Sequence, residues 1–180
     1  MSAMRVTGIA CALSGFCVAA LLSAAAGAAD ITVTISAIDR NGVGAKIGTV
    51  RAFDTPKGLR LAPRLKGLPP GDHGFHVHEK RSCAPGTSDG NKVAGLAAGG
   101  HYDPGKAGKH AGPEGEGHLG DLPVLTVKPD GSTAGSLLAP RLKVSDLKGR
   151  SLTIHEGGDN FSDQPKPLGG GAARIACGTM

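Results

Sequence analysis

The chain reads as all-β, an eight-stranded antiparallel Greek-key sandwich or flattened barrel with two long functional loops. Three observations predict it. Apolar residues recur at every second position in short runs, as where Ile31, Val33 and Ile35 alternate with Thr and Ser, and period two marks a half-buried strand. No segment of helix length carries an amphipathic 3.6-residue period. Glycine (30 residues) and proline (12) break the chain into short runs, which suits strands joined by ordered turns.

Taken in order, the first segment stands apart from that fold. Residues 1–29 read as a secretory signal: Arg5 is the only charge before Asp30, Ile9 to Leu22 is an apolar run, and Ala24–Ala29 offers small-residue cleavage positions. Ser and Gly interrupt the run, which argues against an uncleaved membrane anchor, so no membrane contact is expected once the leader is gone. Residues 30–180 then form one domain, of a size that carries its own core. Eight strands are expected in it: Ile31–Ile38, Gly48–Phe53, Leu59–Leu65, Gly74–His78, Val124–Lys128, Thr133–Leu138, Ser151–His155 and Ala172–Cys177. Pro129-Asp130-Gly131 reads as a turn. Two loops, roughly 80–122 and 156–171, exceed the usual connection length, and long ordered loops are usually functional. The first contains an insertion-like Gly/Ala/Ser stretch at 84–98; the second carries Asp159, Asp163 and Lys166.

Six of the seven histidines, with one aspartate, fall in an order that builds two adjoining metal sites. Residues i and i+2 of a strand share a face, so Phe75 and Val77 can face a core while His76 and His78 offer two imidazoles outward. His101, His110, His118 and Asp121 follow in the stretch GGHYDPGKAGKHAGPEGEGHLGD, spaced nine, eight and three residues apart. That stretch has many glycines and no apolar periodicity, the pattern of a loop folded around an ion. Three imidazoles and a carboxylate suit tetrahedral zinc with no open position, and imidazole also suits copper. His155 closes the set in TIHEGGDN. A lone H-x-H could be a surface accident; the ordered set of seven donors is not. His73 has the opposite parity to His76 and reads as a hydrogen-bonding histidine that braces the site.

These stretches resemble the copper/zinc superoxide dismutases of the bacterial, exported type. GDHGFHVHE (71–79), GGHYDPGKAGKH (99–110), GPEGEGHLGDLP (112–123), LKGRSLTIHEGGDN (147–160) and GGGAARIACG (169–178) carry the resemblance, which runs over nearly all of the chain after the leader. It implies copper and zinc as cofactors and superoxide anion as substrate, disproportionated to oxygen and hydrogen peroxide in the periplasm. His76, His78, His101 and His155 match the family's copper ligands. His101, His110, His118 and Asp121 match its zinc ligands, with His101 bridging the two ions. Asp159 matches the carboxylate that links ligands of the two metals. The resemblance makes Arg174, which guides and docks the anion, and His101, which handles a proton, the catalytic residues.

Cys11 and Cys17 lie in the leader, so the mature chain keeps only Cys83 and Cys177. An exported compartment favours a disulfide between them, with two free buried thiols as the alternative. In the chain-entropy model so long a closed loop makes the bond worth roughly 4–5 kcal/mol. The bond would pin the start of the first long loop beside Arg174. Removing Arg5 from the 20 basic residues leaves 19 against 15 acidic ones, a net +4. The signs are interspersed and there is no aromatic platform, so nucleic-acid binding is not expected. Monomer and homodimer both stay open. An exported copper- and zinc-binding protein without turnover would use the same ligands, but it has no use for Arg174, which binds no metal. A redox-inert domain keeping zinc alone has no use for His76, His78 and His155.

Overall fold

The computed structural model describes residues 29–133 and 135–180; apart from Ala29, the expected leader lies outside them. Among the described residues the fold is all-β and antiparallel, with three 3-10 turns and no helix long and apolar enough to cross a membrane. The strands are β1 (Asp30–Asp39), β2 (Gly42–Thr55), β3 (Gly58–Leu65), β4 (Gly71–His73), β5 (Phe75–His78), β6 (Gly86–Ser88), β7 (Asn91–Val93), β8 (Leu125–Val127), β9 (Leu137–Ala139), β10 (Ser151–His155) and β11 (Arg174–Thr179). Seven form one sheet in the order β5-β10-β11-β1-β2-β3-β9, while β4 pairs with β8 and β6 with β7. Because β4 leads through Gly74 into β5, the β4–β8 ribbon continues the large sheet and curls it toward closure. An isolated bridge pairs Val127 of β8 with Thr133 in the connection that follows.

The core follows the alternation. Val33 and Ile35 of β1, Val50 and Ala52 of β2, and Leu59, Leu61 and Leu65 of β3 are buried together with Phe75, Val77, Leu152 and Ile154. Strand β10 is buried along its whole length because both of its faces are covered. Leu152 and Ile154 sit opposite Val77 and Phe75 on the core face, so Ser151, Thr153 and His155 share the other face with His76 and His78. Burying a side chain the size of Phe75 contributes about 1.5–3 kcal/mol, and that burial fixes which way the neighbouring histidines point.

Four expectations need correction. The strand expected at Gly74–His78 begins at Phe75: Gly74 leaves the ladder, donating to the Gly157 carbonyl and accepting from the His155 amide, and the residues before it, Gly71–His73, form the unexpected β4. The strand expected at Thr133–Leu138 forms only at Leu137–Ala139. Thr133 is instead held by β3, its amide donating to the Leu65 carbonyl and its hydroxyl to that of Pro63, and Gly135 has φ +69°, outside the extended region. The last strand begins at Arg174 and not at Ala172, whose φ of +60° is a turn conformation. The 84–98 stretch carries the small β6–β7 ribbon, which brings the described strands to eleven against the eight expected.

Candidate metal centre

Strand β5 lies at the edge of the large sheet, and the first long loop satisfies its outer main-chain groups. Tyr102 donates to the Val77 carbonyl (2.8 Å), Val77 to that of Gly120 (2.9 Å), and Gly120 to that of Tyr102 (2.8 Å). This ring of bonds sets His101 beside His78 and Asp121 beside His76. A Cβ on Gly120 would stand 2.3 Å from the Val77 carbonyl oxygen, so only glycine permits the approach.

Two donor clusters result. His76, His78, His101 and His155 each bring a ring nitrogen within 4.8 Å of the others; His101, His110, His118 and Asp121 do the same, and His101 belongs to both. Its Nδ1 lies 3.0 Å from Asp121 Oδ1. His110 Nδ1 and His118 Nδ1 approach that same oxygen to 3.0 and 3.4 Å without hydrogen-bond geometry. In the other cluster His78 Nε2 and His155 Nε2 are 3.4 Å apart. Four buried nitrogens, His76 Nδ1, His101 Nε2, His110 Nδ1 and His118 Nδ1, have no hydrogen-bond partner. A buried polar atom left unpaired costs about 1–3 kcal/mol, and all four belong to these two donor clusters, where a bound ion would pair them. The donor sets fit: four imidazoles for copper, three imidazoles and a carboxylate for zinc.

The other ring nitrogens of His76, His78, His110 and His155 have partners. His78 Nδ1 donates to the Gly99 carbonyl (2.9 Å) and His155 Nδ1 faces that of Ala172 (3.3 Å). Asp159, whose side chain is buried, accepts from His76 Nε2 at 2.8 Å and from His110 Nε2 at 2.7 Å, joining one ring of each cluster. Such partners fix a ligand's tautomer and raise its basicity. His73 lies outside both clusters, its ring nitrogens against the carbonyls of His155 (2.7 Å) and Pro69 (2.8 Å), where it ties β10 to the turn before β4. Arg174, opposite His155 in the β10–β11 pairing, donates to the carbonyls of Gly95 (2.6 Å) and Gly99 (2.7 Å). Cys83 and Cys177 form a disulfide that ties the start of the first loop to β11.

Burial pushes His155 down to about 3 and His101 to about 4, and takes His78 well below the ordinary histidine range. These rings are therefore neutral with lone pairs free at neutral pH, as ligation requires. Burial also opposes the charged form of His110, but Asp121 and Asp159 on its two sides overcome this and raise it to about 9. Burial raises the carboxyls of Asp121 and Asp159, yet the imidazoles bonded to them hold both well below the usual carboxylate range.

Two further residues complete the site, Asp163 of the second loop and Gly169, of which only Asp163 stands out in the sequence. Asp163 accepts from the His110 amide (2.8 Å) and the Leu168 amide (3.0 Å), locking the second loop onto the first. Gly169 has φ +71°, and a Cβ there would stand 2.0 Å from Asp159 Oδ1 and 3.0 Å from His110 Nε2. Gly169→Ala is expected to dislodge Asp159 and speed metal loss to a chelator roughly ten-fold or more. Gly170→Ala is the control, since it has φ +81° but its nearest contact would be Lys166 at 3.7 Å. Equal retention in both variants would show that Asp159 needs no such clearance.

A curled antiparallel sheet holding two adjoining histidine clusters under long loops defines an all-β protein with a two-metal centre. The family model for copper/zinc superoxide dismutase matches residues 46–180. The Cu-Zn superoxide dismutase of Escherichia coli strain K12 is 52% identical over 163 residues, covering 90% of this chain and 94% of that one. Among solved structures, the Brucella abortus Cu/Zn superoxide dismutase superposes with a TM-score of 0.83 at 51% identity, covering 84% of this chain and 99% of that one. The monomeric copper, zinc superoxide dismutase of Salmonella enterica gives 0.76 at 55%, with the same coverages. The chain belongs to the copper/zinc superoxide dismutase family.

Proposed function

We propose that the chain disproportionates superoxide to oxygen and hydrogen peroxide at copper held by His76, His78, His101 and His155, beside zinc held by His101, His110, His118 and Asp121. The observation that carries this reading is His101, which belongs to both clusters and whose Nδ1 lies 3.0 Å from Asp121 Oδ1 while its buried Nε2 has no hydrogen-bond partner. Two superoxide anions and two protons give one oxygen and one peroxide. Bound copper supplies the one-electron couple this needs, and bound zinc supplies charge and structure without redox change. His101 would hold a proton at Nε2 and pass it to the reduced product. Asp159 orients His76 and His110 through their far nitrogens. Arg174 offers a fixed positive charge to an incoming anion, and such attraction weakens with salt.

Elemental analysis of fully loaded protein should find one copper and one zinc per chain, and loaded protein should consume superoxide while the metal-free protein does not. A single metal site, or loaded protein that leaves the spontaneous rate unchanged, overturns the reading. Metal storage without turnover draws no support from Arg174, which donates no lone pair.

The leader at 1–29 and the bacterial relatives support export to the periplasm, with 30–180 as the mature domain guarding the envelope against extracytoplasmic superoxide. The disulfide fits that oxidising compartment. The intact mass of the exported chain should correspond to cleavage after Ala28 or Ala29; a full-length mass would refute it. The Salmonella enterica structure is described as monomeric, which supports a monomer over a homodimer.

A further inference from the structure

We propose that Arg141 is a positioning residue for the zinc-ligand loop, acting on main-chain carbonyls and not on the ion. It lies just after β9, between the buried Ala139 and Leu142. Its Nε donates to the Pro113 carbonyl at 3.0 Å and its Nη1 to that of Gly117 at 3.1 Å. Its Nη2 donates to Gly112 at 3.2 Å and to His118 at 2.6 Å. Four carbonyls of one seven-residue segment, all between the ligands His110 and Asp121, thus converge on one guanidinium. Four carbonyl dipoles facing a common point repel one another unless a cation sits there, and bonds to a charged donor are the stronger kind.

The segment is shaped for this. Its two ends meet where the His118 amide donates to the Lys109 carbonyl at 3.0 Å. Its turns are too tight for side chains: a Cβ on Gly115 would stand 2.3 Å from the Ala111 carbonyl oxygen, and one on Gly117 2.7 Å from that of Lys109.

The other three zinc donors have support of their own. His110 is gripped by Asp159 and Asp163, His101 is bridged to β5, and Asp121 accepts from the Ala111 amide at 3.1 Å. His118 is the least buried of the four, with 12% of its side chain exposed against 0–1% for the others. Its shortest main-chain bond is the one to Arg141. The inference rests on the zinc assignment made above.

The test loads wild type, Arg141→Lys, Arg141→Met and His118→Ala with copper and zinc and follows transfer of each metal to a chelator. Cobalt(II) placed in the zinc site reports its coordination geometry through visible absorption. Arg141→Met is expected to release zinc roughly ten-fold or more faster than wild type and to alter the cobalt bands, with copper retention unchanged. Arg141→Lys should fall between, since a lysine keeps the charge but not the planar fork. Zinc release from Arg141→Met at the wild-type rate overturns the proposal. So does a parallel loss of copper and zinc, with lowered melting of the metal-free protein and no recovery by lysine, because that is general destabilisation. If His118→Ala holds zinc as wild type does, the ligand assignment has failed and not the role of Arg141.

Discussion

His155→Ala is expected to lose copper, keep zinc, and lower superoxide consumption by more than roughly 100-fold, beyond what loss of a mere supporting partner costs a metal site. His155 belongs to the all-imidazole cluster and to no other, so its removal leaves the three-imidazole-and-carboxylate set whole. The substitution spares the main chain around it. The His155 amide still donates to Gly74 and its carbonyl still faces His73, so β10 keeps its place beside β5. Some stability is lost with a buried side chain, but the disulfide and the core of β1, β2 and β3 lie elsewhere. Elemental analysis gives the two occupancies and pulse radiolysis the rate. Copper retained with full activity would remove His155 from the ligand set, and equal loss of both metals would mean that the site collapses as a unit.

The two donor clusters were legible because histidine is scarce here and each one sits in a context with a physical reading. The H-x-H of β5 follows from strand parity, and the alternating Leu152 and Ile154 fit the strand expected at Ser151–His155. Positions that act through the main chain left no such trace. Gly120 and Gly169 matter because of what a Cβ would strike, and in a chain with 30 glycines nothing singles them out. Arg141 bonds only carbonyls, a contact any residue can offer, so no partner residue type announces it. The strand errors have the same origin. Thr133 has strand character but spends its hydrogen bonds on β3, and β4 is too short for alternation to register. Local pattern reports burial and parity; it does not report which distant backbone will claim a donor.

Arg174→Ala is expected to leave copper and zinc occupancy unchanged and to slow superoxide turnover roughly ten-fold or more. One well-placed charge bond to an anion is worth about 1.5–3 kcal/mol, and each 1.36 kcal/mol or so is ten-fold in rate. The rate should also lose part of its dependence on ionic strength, because a fixed charge that steers an anion is what salt screens. The structure adds a complication that the experiment must separate. Arg174 already donates to the carbonyls of Gly95 and Gly99, and the Gly99 carbonyl also accepts from His78 Nδ1. The alanine variant therefore removes a strut of the first loop along with the charge. His78 keeps its own bond to Gly99, which is why copper should stay. Arg174→Lys divides the two effects: it restores a cation without the fork that holds both carbonyls. If charge is what matters, the lysine variant regains a large part of the rate and most of the salt dependence. If the strut is what matters, lysine behaves like alanine, and the copper absorption of both variants shifts as His78 is displaced. An alanine variant that turns over like wild type at every salt concentration would strip Arg174 of its docking role and leave the histidine clusters as a metal store.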